Sequence, residues 1–307
     1  MKLYYCDDHV IPLPPGHKFP AQKYRLLREL LAAEGNFEFE AAPLADPETI
    51  ALAHDPQYVR SFLDGTIERQ IMRRIGFPWS PELVRRTLAA VGGTLRATDD
   101  ALALGVGGAL AGGTHHAFRS EGSGFCVFND MAIAIRSLFQ QRRIERAAVV
   151  DLDVHQGDGT ALLFEDEPAV LTLSVHGSNN FPFRKQRSKI DVDLADGATD
   201  AEYLSVLDQA LARAFEFQPQ IVFYQSGVDA LASDKLGRLA LTHDGLRRRD
   251  EMVFEKCKAD GVPVVITLGG GYAEPISLTV EAHANTFRAA FMQLTVVSAC
   301  CKPLPSP

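Results

Sequence analysis

Apolar runs recur along the second half of the chain at AAVVDLD (147–153), AVLTLSV (169–175), QIVFYQS (220–226) and PVVITL (263–268). They are apolar almost throughout rather than alternating, the pattern of strands covered by helices on both faces. MAIAIRSLFQ (131–140), AEYLSVLDQALARAF (201–215) and HDGLRRRDEMVFEKCKA (243–259) instead carry their apolar residues at helical spacing. Strands separated by helices point to parallel pairing through crossovers. The expected fold is therefore α/β: a single doubly wound, mostly parallel sheet flanked by helices. The first 80 residues, broken by VIPLPPGHKFP and EAAPLADPE, read as edge strands and helices wrapped on the same core. No linker, repeat or low-complexity block interrupts the chain. One domain over residues 1–296 is expected, followed by a disordered tail at 297–307.

Each apolar run passes directly into polar residues or glycine: DLDVHQGDG, SVHGSNN, SGVDALASDKLG and LGGGYAEP. In open parallel sheets, ligands bind beyond the carboxyl ends of the strands, so these loops should converge on one site. Asp153 and His155 are two apart and, in an extended segment, point the same way. With Asp229 they form a three-ligand set for a divalent ion that leaves coordination positions open. The competing reading has Asp153 capping the next helix and His155 as an ordinary loop histidine. The adjacent His115 and His116 lie on a glycine-rich turn, and Asp151 and Asp158 are two further acids close to the ligand set. A carboxylate bonded to one ring nitrogen fixes a histidine's tautomer and raises its basicity, as a general base requires. The glycines of LGGGY (268–272) lack the pattern of a nucleotide loop. They could instead aim the Tyr272 hydroxyl at a developing oxyanion, or Tyr272 could simply pack on the sheet. Cys126 is a weaker candidate, as a nucleophile, because a metal site leaves that role to water.

Composition narrows the partners. A net charge of −8 and the absence of any long basic run argue against direct nucleic-acid binding. The five cysteines are odd in number and show no framework spacing, which suits a reducing compartment. The start MKLYYCDDHV lacks signal-peptide character, and no apolar stretch reaches the ~18 residues of a membrane span. A soluble, cytoplasmic protein is expected.

Taken jointly and in order, GGTHHAF, GSGFCVFND, DLDVHQGDGT, SGVDAL and LGGGY resemble the signature segments of the zinc-dependent histone deacetylases, over roughly residues 75–290. The resemblance implies the arginase/deacetylase fold and hydrolysis of acyl-lysine amides or similar acyl-amines. It assigns Asp153, His155 and Asp229 to the metal, pairs His115 with Asp151 and His116 with Asp158, and has Tyr272 polarise the acyl carbonyl. His116 is the first choice as general base, and His115 serves as electrostatic or proton-transfer partner. Gly124 and Phe125 would line the tunnel for the lysine stem, with Phe181 or Phe183 on the opposite wall. A structural potassium ion would involve Asp151, the main-chain carbonyls of Asp153 and His155, and Ser174 with Val175.

Gln156 in HQGDG, together with residues 77–95 and 233–254, looks most like the class IV branch and its bacterial relatives. That branch is associated with long fatty-acyl groups as well as acetyl. The short basic segment GSNNFPFRKQRSK (177–189) departs from the longer loop of class I. Three substrate readings stand: an acylated lysine in a protein or peptide, a small acyl-amine such as an acetylpolyamine, and a non-catalytic acyl-lysine binding module. Zinc is the expected metal, and iron(II) suits the same ligands. The oligomeric state is not written in these motifs.

Overall fold

The structure, a computed structural model, describes residues 1–295. The expected tail at 297–307 lies outside the described residues. The chain runs β1 (Lys2–Tyr5), α1 (Gln22–Glu34), β2 (Glu38–Ala41), α2 (Pro47–Ile50), α3 (Pro56–Leu63), α4 (Arg69–Ile75), α5 (Pro81–Leu104) and β3 (Val106–Ala109). It continues through α6 (Asp130–Gln140), β4 (Ala147–Asp151), α7 (Asp158–Leu163), β5 (Val170–Gly177), β6 (Ile190–Leu194), α8 (Asp200–Glu216), β7 (Val222–Gln225), α9 (His243–Asp260), β8 (Val264–Thr267) and α10 (Ile276–Ala290). The eight strands form one sheet in the order β2-β1-β3-β8-β7-β4-β5-β6, and every pairing is parallel.

The unbroken apolar runs have a direct explanation in this sheet. Along β4, Ala148 and Val150 join the core on one face, while Ala147 and Val149 join the core on the other. Val222 and Tyr224 of β7 and Val264 and Ile266 of β8 repeat the first face; Phe223 and Val265 repeat the second. Successive side chains of a strand point to opposite faces, and here both faces are dry. Helix starts follow local chemistry. Ser80 accepts a hydrogen bond from the Leu83 N–H at 3.1 Å and precedes Pro81 at the head of α5. Thr199 and Glu202 close a capping box on α8.

Two elements differ from the reading of the pattern. Strand β4 ends at Asp151, so Asp153 and His155 lie in an irregular loop rather than an extended segment. Their shared direction comes from the loop, in which the His155 N–H donates to Asp153 Oδ1 at 3.0 Å. Strand β3 is VGGA, too poor in side chains to read as a strand; its Gly107 lets the backbone press against Ala97 of α5. Among the described residues, no helix is long and apolar enough to cross a membrane.

Candidate metal centre and active site

The loops after β3, β4, β7 and β8 meet at the carboxyl edge of the central strands. After β4, Asp153 and His155 turn toward Asp229, which follows β7. One ligand atom from each of these buried residues lies within 4.8 Å of the others. His155 Nδ1 is 3.0 Å from Asp153 Oδ1 and 3.1 Å from Asp229 Oδ2. Neither carboxylate caps a helix: α7 begins at Asp158, behind Gly157.

Fixed donors hold the acids in place. Asp153 Oδ2 accepts from the Gly270 N–H at 2.8 Å and from Gln225 Nε2 at 3.1 Å. Asp229 Oδ1 accepts from the Val154 N–H at 2.9 Å. Two anions and an imidazole packed this closely suit a divalent cation, because buried like charges need a compensating positive charge. Their acidities show the strain: burial and the Asp153 charge push the Asp229 carboxyl up to about 7. Burial also opposes ionisation of Asp153, yet His115 and His155 hold it well below the usual carboxylate range. Gly270 is required here, since a Cβ at this position would collide with Asp229 Oδ2 and crowd Asp153 Oδ2. Gly270→Ala is therefore expected to weaken metal binding by roughly ten- to a hundredfold, measured by competition with a zinc chelator. Unchanged affinity would show that the backbone there has room to yield.

The histidine turn after β3 is anchored by buried Asp130, the first residue of α6, which accepts from the Gly113 N–H at 3.1 Å and the Thr114 N–H at 2.8 Å. This places His115 Nδ1 2.7 Å from Asp151 Oδ2 and His116 Nδ1 2.7 Å from Asp158 Oδ1. The ring centroids of the two histidines are 4.1 Å apart. Their environments push them in opposite directions. Burial disfavours charge on His115, but Asp151 and Asp153 override it and raise its pKa to about 9. Burial and the neighbouring His115 lower that of His116 to about 4, against the pull of Asp158. Such a pair holds one proton donor and one proton acceptor near neutral pH.

Tyr272 lines the same cavity, with its ring centroid 6.3 Å from that of Phe125. Its N–H donates to Asp234 Oδ2 at 2.6 Å, which ties the loop after β8 to the loop after β7. Burial raises the phenol's pKa well above its usual value, and the Asp229 and Asp153 charges add to this. Gly124 and Phe125 both have left-handed backbones, with φ of 52° and 66°. Phe181 packs edge-on to His116 at 4.9 Å, beside Gly124, whereas Phe183 stands at the mouth and is 88% exposed. Asp151 and Ser174 are direct cross-strand partners, and Ser174 Oγ is bonded to His176 Nδ1 at 2.9 Å. Val175 follows in β5. Gln156 points away from the cavity: it donates to Gln186 O and Asp191 Oδ1, both at 2.8 Å, and so pins the basic segment that follows β5. Cys126 is buried, and its thiol is pushed up by that burial, the wrong direction for a nucleophile.

Several neighbours of the site escaped the sequence reading. Lys23 of α1 is buried, donates to Gly269 O at 3.0 Å, and lies 5.5 Å from the Tyr272 ring centroid. Burial lowers its pKa to about 8, although Asp229, Asp153 and Asp234 oppose the shift. Arg249 of α9 is fully buried behind the ligand loops, and Arg86 of α5 lines the cavity. All three sit in helical stretches where a basic residue ordinarily reads as solvated. A helix register against the sheet was the signal needed to find them.

Comparison with known proteins identifies the family and the fold. A family model described as histone deacetylase domain matches residues 17–287. An uncharacterized protein of Picosynechococcus is 46% identical over 94% of this chain and 97% of its own length. Histone deacetylase 2 of Arabidopsis thaliana is 33% identical over 90% of this chain and 75% of its own. The crystal structure of the HDA15 HD domain superposes with a TM-score of 0.80 at 20% identity, covering 95% of this chain and 89% of that one, and so supports the fold. The chain belongs to the histone deacetylase family, a family of metal-dependent deacetylases, and has its arginase/deacetylase fold.

Proposed function

We propose that this protein hydrolyses the amide of an N-acylated lysine in a protein or peptide. The observation that carries this reading is the pair of His–Asp contacts, His115 with Asp151 and His116 with Asp158, set beside a buried Asp–His–Asp group in one cavity with Tyr272. Asp153, His155 and Asp229 would hold zinc, with iron(II) as the competing metal. When bound, such an ion supplies Lewis acidity toward the acyl oxygen and makes water easier to deprotonate.

The chain's own residues do the rest. Asp158 fixes the tautomer of His116, whose other ring nitrogen takes the proton of the attacking water. His115, oriented by Asp151, holds the proton that the leaving amine needs. The Tyr272 hydroxyl donates to the acyl oxygen as that atom becomes anionic. Gly124, Phe125 and Phe181 enclose the lysine stem and keep bulk water from it, while Phe183 forms part of the rim. Asp151, Ser174 and the carbonyls of Asp153, His155 and Val175 are our candidates for a structural potassium ion. The class IV affinity rests on the resemblance carried by Gln156 and by residues 77–95 and 233–254. We take residues 1–296 as one catalytic domain that acts in the cytoplasm.

The deciding experiment measures hydrolysis of lysine peptides carrying acetyl or a long fatty-acyl group, before and after removal of metal and after return of zinc. Activity should vanish with the metal and return with zinc. An acetylpolyamine as the sole substrate would move the reading to small acyl-amines. Lack of hydrolysis on every substrate with zinc restored would overturn the enzymatic reading.

A further inference from the structure

The cavity that contains the Asp–His–Asp group extends past it. It has a volume of about 320 Å³, and its wall includes the apolar residues Ile11, Leu83, Ala90, Val91 and Ala111. Such a chamber suits hydrocarbon, yet Arg86 stands in its wall. Arg86 is only 7% exposed, and its Nη1 is buried without a hydrogen-bond partner among the described residues. Its guanidinium carbon stacks 4.4 Å from the Tyr24 ring centroid. Among the described residues no carboxylate acts on it, and burial lowers its pKa to about 10, so it keeps its charge. A buried charge with an open donor is unfavourable unless something anionic meets it, and natural interiors leave few such groups unexplained.

The position of Arg86 narrows what that anion can be. Lys23 Nζ lies 5.5 Å from the Tyr272 ring centroid and 5.3 Å from that of Tyr24, and Arg86 stacks on Tyr24. Tyr272, Lys23, Tyr24 and Arg86 are therefore successive neighbours, and Tyr272, Tyr24 and Arg86 all line the cavity. Lys23 is already bonded to Gly269 O and feels Asp229 and Asp153, whereas Arg86 feels neither acid. Arg86 is joined to Tyr272 only through Lys23 and Tyr24, so a group that meets its guanidinium is not the one that meets the acids.

We propose that Arg86 is a carboxylate anchor for the far end of the acyl group, so that this enzyme prefers lysine acylated by a dicarboxylic acid over the matching neutral acyl group. The inference rests on the proposed amide hydrolysis. Water's oxygen ends on the acyl carbon, the C–N bond breaks and the amine nitrogen takes the proton, so a free dicarboxylate and the lysine amine are released. The distal carboxylate keeps its charge throughout. A guanidinium meets a carboxylate with two parallel N–H donors, and the alkyl part of the acyl group fills the apolar walls.

The test compares glutaryl-lysine with valeryl-lysine peptides on the zinc-loaded protein, with Arg86→Met and Arg86→Lys beside the wild type. The wild type should favour glutaryl by about ten- to a hundredfold in kcat/KM, the range of a hydrogen bond to a charged group. That ratio should collapse in Arg86→Met and recover in part in Arg86→Lys, with thermal unfolding used to verify that each variant is folded. Valeryl preferred by the wild type, or a ratio untouched by Arg86→Met, overturns the anchor. Valerate product inhibition relieved by Arg86→Met, without any acidic preference, would reassign Arg86 to the released acid and also overturns it. Calorimetric titration of glutarate into wild type and Arg86→Met decides the matter even if no peptide is cleaved: binding that depends on Arg86 supports the anchor, and equal or absent binding refutes it. Failure to hydrolyse glutaryl, valeryl and acetyl peptides alike would instead count against the hydrolase reading.

Discussion

Tyr272→Phe is expected to lower turnover of an acylated lysine by about 100- to 1000-fold, the usual effect of deleting one oxyanion donor. The change removes a single oxygen from a ring that keeps its place beside Phe125 and Lys23. The loop is held through the Tyr272 main chain, whose N–H donates to Asp234, so its position does not depend on the hydroxyl. Zinc stoichiometry and thermal stability should therefore stay at wild-type values while kcat falls. A loss of kcat with KM little changed is the signature of a bond made only as negative charge develops. Steady-state kinetics together with metal analysis check this outcome. Full activity in the variant would remove Tyr272 from the mechanism and leave the acyl oxygen without a protein donor on that side.

The largest expected effect on stability belongs to a residue that never meets the cavity. Arg249 Nη1 donates to Leu152 O at 3.1 Å and Gly227 O at 2.6 Å, and its Nε donates to Asp250 Oδ1 at 2.9 Å. Leu152 precedes Asp153 and Gly227 lies two residues before Asp229, so one guanidinium cross-links both acid-bearing loops. Arg249→Met would leave Asp250 buried without its cation, held among the described residues only by the Tyr224 and Thr286 hydroxyls, and leave the two carbonyls without their donor. Removing one partner of a buried pair costs about 3–5 kcal/mol, far more than the pair itself contributes against an apolar replacement. Urea unfolding should show that loss at zinc saturation. Arg249→Lys should recover only part of it, because an ammonium cannot span a carboxylate and two carbonyls with a planar fork. A loss below about 1 kcal/mol, within the range of an ordinary surface substitution, would mean that the loops hold themselves.

Arg249 also shows where the sequence ceased to be readable. The run Arg247, Arg248, Arg249 looks like one solvated basic stretch, yet the first two side chains are 48% and 45% exposed and the third is fully buried. Only the rotation of α9 against the sheet separates them. Lys23 and Arg86 were hidden for the same reason, since an amphipathic pattern marks which residues are apolar but not which charge is turned inward. By contrast, Asp151, Asp153, His155, Asp158 and Asp229 were legible because acids directly after buried strands have few bland explanations. The central strands were legible because both of their faces are dry. Strand β6 was missed because its burial alternates as an edge strand's does, and β3 because two of its four residues are glycine.

The sheet order has a consequence for how the protein is made. Strand β8 is the last strand among the described residues but lies in the middle of the sheet, between β3 and β7. A ribosome that has delivered everything up to α9 has therefore delivered two half-sheets with facing open edges and no Tyr272 loop to close over the acids. Pairings this distant along the chain are slow to form, and unpaired edges are the places where chains stick to one another. The acids and histidines can approach one another early, but the cavity acquires its floor only when the final strand slots in. Completion of the cavity and escape from edge-to-edge aggregation should thus arrive together, with the pairing of β8.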